Sequence, residues 1–195
     1  MAEVSSIHTS DGAARMQALV AAAKEAGSRG PAPVHLWNPD HCGELDLVIK
    51  ADGTWLHQGS PIRRPALVKL FSTVLRRDPD GYVLVTPAEK LSITVDDAPF
   101  VAVEMASDGE GPDRQIRFRT NVDETVDIGP DHPLRFEQGK AGFRPYARVR
   151  ADLWALVARS VVYDLVALAE EREGLLGVWS GGQFFAMGEA DGAAA

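Results

Sequence analysis

Apolar and polar residues alternate in short runs along most of this chain and switch to helical spacing in only a few places. Leu45-Asp46-Leu47-Val48-Ile49-Lys50 and Thr54-Trp55-Leu56-His57 flank Ala51-Asp52-Gly53. The Asp-Gly pair supplies the positive φ that a tight hairpin requires. After the break at Gly59-Ser60-Pro61, Pro65 suits a first helical position, where its missing N–H costs nothing. Leu67, Val68, Leu70, Phe71, Val74 and Leu75 then recur on one helical face, and Asp78-Pro79-Asp80-Gly81 stops the helix. Strands follow at 82–85 and 91–95.

The second half carries more strand. Phe100-Val101-Ala102-Val103-Glu104-Met105 is an apolar strand, and residues 114–119 return with strict alternation. A short strand is expected at 125–128. The earlier pattern then resumes with 134–137, a turn at 139–142, a strand near 146–149 and a helix over 152–173. That helix is apolar on most sides through Leu168 and is expected to be buried on more than one face. Residues 178–180 and 183–187 form a last hairpin across Gly181-Gly182. Two strands, a helix and two strands thus occur twice, over 45–95 and 134–187.

The class this predicts is α+β, with two antiparallel-sheet halves, each with a packed helix, and a duplicated strand-strand-helix-strand-strand core. An N-terminal helix and linker are assigned to 1–33, a first α+β domain to 34–97, a second, larger one to 98–188 and a disordered tail to 189–195. Within the first stretch, Ser10-Asp11 caps an alanine-rich helix that ends at Gly27. Its apolar stripe of Met16, Leu19, Val20 and Ala23 is thin, so either weak docking or a mobile helix is expected, and 28–33 reads as a linker.

Composition narrows the class of protein. With 45% hydrophobic and 25% charged residues over 195 positions, the chain resembles an average soluble protein able to bury a core without staples. A single cysteine, Cys42, excludes an intramolecular disulfide and fits a reducing compartment. The N-terminus lacks a secretory n-region and h-region, and the longest apolar stretch, 153–169, contains Arg159 and Asp164. A cytoplasmic protein without membrane insertion is expected. A net charge of −8 argues against indiscriminate polyanion binding.

No constellation reaches a catalytic or metal signature. His35, Asp40, His41 and Cys42 lack a second cysteine or a paired-histidine motif, and a polar loop accounts for them better than zinc does. Cys42 with His41 lacks a spatially placed base and an oxyanion site. Ser180 lacks the Gly-x-Ser-x-Gly elbow, and the glycines form neither a phosphate loop nor a dinucleotide fingerprint. Asp96-Asp97 reads either as an acid/base or divalent-metal pair or as a strand-end cap. No catalytic residue, metal or cofactor is assigned.

The basic residues carry more weight. Lys69 and Arg76 lie opposite the apolar face of the first helix, with Arg77 flanking it. Period-two spacing puts Gln115, Arg117 and Arg119 on one strand face and Ile116 and Phe118 on the other. Arg144, Arg148 and Arg150 precede the second helix. These cations either form a solvated surface with cross-strand ion pairs, or some of them meet an anionic ligand.

The runs Trp37-Asn38-Pro39, Asp52-Gly53-Thr54-Trp55, Gly59-Ser60-Pro61-Ile62-Arg63, Leu67-Val68-Lys69-Leu70-Phe71 and Gly81-Tyr82-Val83-Leu84-Val85-Thr86-Pro87 carry a resemblance. With Val95-Asp96-Asp97-Ala98-Pro99-Phe100, Arg117-Phe118-Arg119-Thr120-Asn121 and Val178-Trp179-Ser180-Gly181-Gly182, it extends over roughly 34–187. The chain resembles the uncharacterised proteobacterial domain-of-unknown-function family numbered twelve eighty-five. The resemblance implies a two-part fold with a duplicated core, whose C-terminal part is superficially like a pleckstrin-homology domain. It also implies no known activity and no catalytic residues, and a groove between the parts that binds a protein or nucleic acid in signalling.

The leading expectation is therefore a non-enzymatic binding or regulatory protein. Asp96, Asp97, Pro99, Arg117 and Arg119 would line its groove, with Lys69 and Arg76 outlying. The alternative is a small cytosolic enzyme acting on an anionic metabolite, with Asp96 or Asp97 as base. A third expectation is a homodimer that hides the apolar second helix. A deep pocket holding a carboxylate of raised pKa would favour the enzyme. A shallow surface with exposed aromatics and arginines would favour the binding protein.

Overall fold

The computed structural model describes residues 16–25, 32–139 and 142–190. The cap at Ser10-Asp11, the stop at Gly27, most of the 28–33 linker and the last five residues lie outside them. Among the described residues, those up to 50 together with 54–96 form one compact unit, and 51–53 with the residues from 97 onward form a second. No helix among them is long and apolar enough to cross a membrane.

The first unit holds a helix over 16–25 (α1), β1 (His41–Ile49), β2 (Trp55–His57), β3 (Ser60–Pro61), α2 (Pro65–Thr73), β4 (Leu75–Asp78), β5 (Gly81–Val85) and β6 (Lys90–Val95). Helix α1 buries Leu19 and Ala23 completely, so its narrow stripe packs more firmly than its width implies. Helix α2 is shorter than the apolar spacing predicts. Ser72 Oγ donates to Lys69 O and Thr73 Oγ1 to Leu70 O, each at 2.7 Å, and these local bonds compete with the helical ladder at its end. Leu75 and Arg76 therefore fall on a strand. Asp78-Pro79-Asp80-Gly81 turns a hairpin, with Asp78 opposite Gly81, instead of only ending a helix. The core includes the buried Leu47, Ile49, Leu84 and Leu91, and Trp55, which stacks on Phe71 at 6.5 Å.

The second unit holds β7 (Phe100–Asp108), β8 (Gln115–Thr120), β9 (Thr125–Asp127), β10 (Leu134–Gly139), β11 (Gly142–Arg150), β12 (Leu153–Val157), α3 (Arg159–Ala167), β13 (Glu170–Arg172), β14 (Leu175–Ser180) and β15 (Gln183–Glu189). The single long helix expected over 152–173 is a strand, a nine-residue helix and a second short strand. Leu153, Ala155 and Val157 are buried while Trp154 and Leu156 are partly exposed, which is strand alternation. At the other end Glu173 and Gly174, at φ 53° and 79°, form the two-residue turn that pairs Arg172 with Leu175.

Both large sheets have six strands, ordered β3-β2-β1-β6-β5-β4 in the first unit and β10-β11-β12-β7-β8-β9 in the second. Numbered within its own unit, each sheet reads 4-5-6-1-2-3. Every neighbouring pair is antiparallel except the central one, β1 with β6 and β7 with β12. The α+β class and the duplication therefore hold, while both sheets are mixed rather than wholly antiparallel. The repeat also has a different phase from the one the spacing predicts. Its copies are β1–β6 and β7–β12, so α2 lies inside the first copy and α3 follows the second.

The remaining strands form a separate three-stranded sheet, β13-β14-β15. Ser180 joins it to the second unit's large sheet. This fully buried side chain donates to Ile128 O at 2.7 Å and accepts from Ile116 N at 2.9 Å. The residue is a structural fastening, in line with the missing nucleophile elbow.

Candidate functional site

The sequence-selected residues divide by what already holds them. Arg76 lies on β4, not on a helix. Its guanidinium grips both carboxylate oxygens of Asp78, at 2.6 and 3.0 Å, and donates to Val34 O and Trp37 O at 2.8 and 2.6 Å. Lys69 is exposed on α2, and Pro99 is buried. Asp96 pairs with Lys50 at 2.5 Å. Asp97 accepts from the Arg144 guanidinium and from Tyr146 Oη, the latter at 3.0 Å. Burial, with the bond to Asp97 next in size, pushes the Tyr146 phenol up to about 12.

The period-two reading of β8 holds. Ile116 and Phe118 are fully buried, and Arg117 and Arg119 face outward. Cross-strand register puts Arg117 opposite Asp127 and Arg119 opposite Glu104. Arg117 grips Asp127 through two bonds, and Arg119 bonds Glu104 and also Asp123 at 2.9 Å. These bonds hold the Glu104 and Asp127 carboxyls below the ordinary range and raise both guanidiniums. A carboxylate held low in this way is a poor proton acceptor near neutral pH.

Among the described residues no three His, Cys, Asp or Glu side chains cluster to hold a metal ion. His41 Nε2 lies 2.8 Å from Ser92 Oγ, and Cys42 Sγ donates to Asp40 O at 3.3 Å. Cys42 and His41 are thus engaged with different partners.

The feature that composition could not reveal is a pocket of about 380 Å³ within the second unit. The start of β11 (Phe143, Arg144, Pro145), the end of β12 (Leu156, Val157) and α3 (Arg159, Val162, Tyr163) line it. Its volume sits near the lower end of the roughly 300–1,000 Å³ usual for ligand sites. Phe143 is braced by Phe136, ring to ring at 5.5 Å. Among the described residues two arginines line the pocket and no carboxylate does. Arg144 is held by Asp97 and lies near the Tyr146 ring at 5.7 Å, whereas Arg159 has no hydrogen bond or ion pair with any described residue.

Helix α3 supplies the pocket's outer wall. It buries only Val161 and Leu165, so the expectation of burial on several faces fails. Tyr163 remains 66% exposed, and Val166, one turn further along, 41%. The reason is that the apolar run is divided between a strand and a helix, each of which needs only one buried side. Arg159 and Tyr163 escaped sequence reasoning because a long buried helix absorbed them. The run Leu153-Trp154-Ala155-Leu156-Val157 is apolar at every position, so its alternation shows in the burial and not in the sequence.

Comparison with known proteins places this geometry in context. Residues 32–98 match the domain of unknown function DUF1285, N-terminal domain, and 99–187 match the DUF1285 C-terminal domain. A crystal structure of a DUF1285 family protein from Silicibacter pomeroyi DSS-3 is 46% identical, with a TM-score of 0.83 over 88% of this chain and 95% of that one. A second, from Shewanella baltica OS155, is 24% identical with a TM-score of 0.51, covers 63% of this chain and 91% of that one, and supports the fold alone. No curated protein matches the chain. With both domain models matched in order across most of its length, the chain belongs to the DUF1285 family.

Proposed function

We propose that the protein is a non-enzymatic docking module with a regulatory role in signalling, whose second unit receives a segment of a protein partner. One observation carries the reading. Tyr163 lines the pocket while remaining largely exposed, and Val166, one turn along the same helix, is exposed as well. A small metabolite would fill the pocket and leave that row bare, whereas a chain segment would cover both. The carboxylates considered as bases support binding over proton transfer, since Asp96 and Asp97 are each held by a cation. Arg117 and Arg119 are each matched by carboxylates on neighbouring strands, so they serve as cross-strand ion pairs and not as the partner's contact.

The test is retention from source-cell lysate by the tagged full chain, with and without nuclease, beside a Tyr163→Ser/Val166→Ser variant of matched circular dichroism. A protein retained by the native chain, indifferent to nuclease and lost by the variant is the expected result. Equal retention by the variant refutes the reading, as does a partner released by nuclease. Recovery of nothing beyond untagged copies of this chain would make the occupant a second copy and equally refute it.

A further inference from the structure

We infer that the segment received at this pocket pairs an apolar anchor with an adjacent carboxylate, and that Arg159 is the group that binds the carboxylate. The inference rests on the docking reading above and adds the chemistry of the occupant. Over the whole chain acids exceed bases by 28 to 20, yet the described residues lining the pocket include two guanidiniums, one of them matched by Asp97 from outside the lining, and no carboxylate. The local sign is the reverse of the global one, which selects against most of the protein's own surface as occupant and for an acidic segment.

The two arginines are not equivalent. Arg144 is already neutralised by Asp97, which Tyr146 also holds, so an incoming anion would have to displace a formed pair. Arg159 opens α3 with no described partner and so has its donors available. A carboxylate beside it gains a charge-assisted, two-pronged contact without breaking an existing one. The apolar lining of Phe143, Pro145, Val157 and Val162 then takes the neighbouring side chain.

Three blocked dipeptides test this on the full chain by amide chemical-shift titration at millimolar concentration: N-acetyl-Phe-Glu-amide, N-acetyl-Phe-Gln-amide and N-acetyl-Gly-Glu-amide. The first is expected to shift Val157, Val162 and Tyr163 and to bind roughly tenfold more tightly than either of the others, the scale of one charge-assisted contact. Arg159→Gln should lower Phe-Glu binding to the Phe-Gln level and leave Phe-Gln unchanged, while its spectrum elsewhere overlays the native one. Equal binding of Phe-Glu and Phe-Gln, absence of shifts at the pocket, or indifference to Arg159→Gln would overturn the inference.

The outcomes also separate it from the docking reading. A protein partner lost by Tyr163→Ser/Val166→Ser but retained by Arg159→Gln leaves the docking module standing and removes its acidic specificity. A partner indifferent to both variants removes the module itself.

Discussion

Replacing Ser180 by alanine removes one oxygen from the place where the three-stranded sheet meets the second unit's large sheet. Two backbone groups lose a partner: Ile116 N, which donates to Oγ at 2.9 Å, and Ile128 O, which accepts from it at 2.7 Å. The losses are unequal. Ile128 O keeps the Gln115 side-chain amide at 2.9 Å, whereas the Ile116 N–H is left with nothing in a fully buried setting. An orphaned buried donor costs about 1–3 kcal/mol, so Ser180→Ala should destabilise the second unit by about 2 kcal/mol. Gln115→Ala alone should cost less, because Ser180 still serves Ile128 O. Together the two substitutions should cost about 1 kcal/mol more than their sum, since only then are both backbone groups orphaned. Urea unfolding followed by native-state hydrogen exchange at the Ile116 amide measures all three variants. Additive losses, or a Ser180→Ala variant as stable as the native chain, would refute this account of how the two sheets are fastened.

Three further expectations follow from the same geometry. The Arg76 guanidinium holds the Asp78 carboxyl below the usual aspartate value of 3.8 against a smaller opposing effect of burial. A depressed folded value means that this pair stabilises fully above the unfolded value and that its contribution fades as pH falls through the folded one. Acid unfolding of Asp78→Asn should therefore lose part of its pH dependence below about pH 4, checked by unfolding midpoints across that range. Tyr146, raised to about 12, favours the neutral phenol, so its contribution is complete below the ordinary tyrosine value and is lost as pH rises through the folded one. Ultraviolet titration should show a late phenol that Tyr146→Phe removes. A Cβ at Gly177 would stand 2.5 Å from Phe185 O, so Gly177→Ala should break the β14–β15 pairing and cost about 2–4 kcal/mol in urea unfolding.

The sequence was most legible where one local rule decides the outcome. Asp52-Gly53 and Gly181-Gly182 announce their hairpins, and Ile116 and Phe118 alternate with arginines as a one-sided strand must. It misled where a short apolar run satisfies two periods. Val74 and Leu75 continue a helical face and are both fully buried, yet Val74 ends the helix and Leu75 opens a strand, and only the Asp-Pro-Asp-Gly turn decides between the two readings. The residues from Leu153 to Leu168 joined into one helix for the same reason, which hid the free start of α3. The pairing of Arg117 with Asp127 and of Arg119 with Glu104 depends on cross-strand register, which composition does not encode. The pocket depends on the same long-range placement, because β11, β12 and α3 meet there only after the sheet has formed.

The shared 4-5-6-1-2-3 order has a kinetic meaning. Each sheet consists of two three-stranded meanders, built from neighbours in the chain and zipped together along one parallel seam. That seam joins Val48 to Thr94 in one unit and Phe100 to Ala155 in the other, partners about fifty residues apart in the chain. Closing so long a loop is entropically unfavourable before any seam bond forms, whereas each meander needs only short turns. The wings can therefore assemble early and independently, and the joining of their innermost strands is the slow step that turns two ribbons into one sheet. Until it occurs, β1, β6, β7 and β12, the central strands of the two finished sheets, are open edges. That interval, rather than any exposed rim of the native state, is when this chain is most prone to pair with another copy of itself.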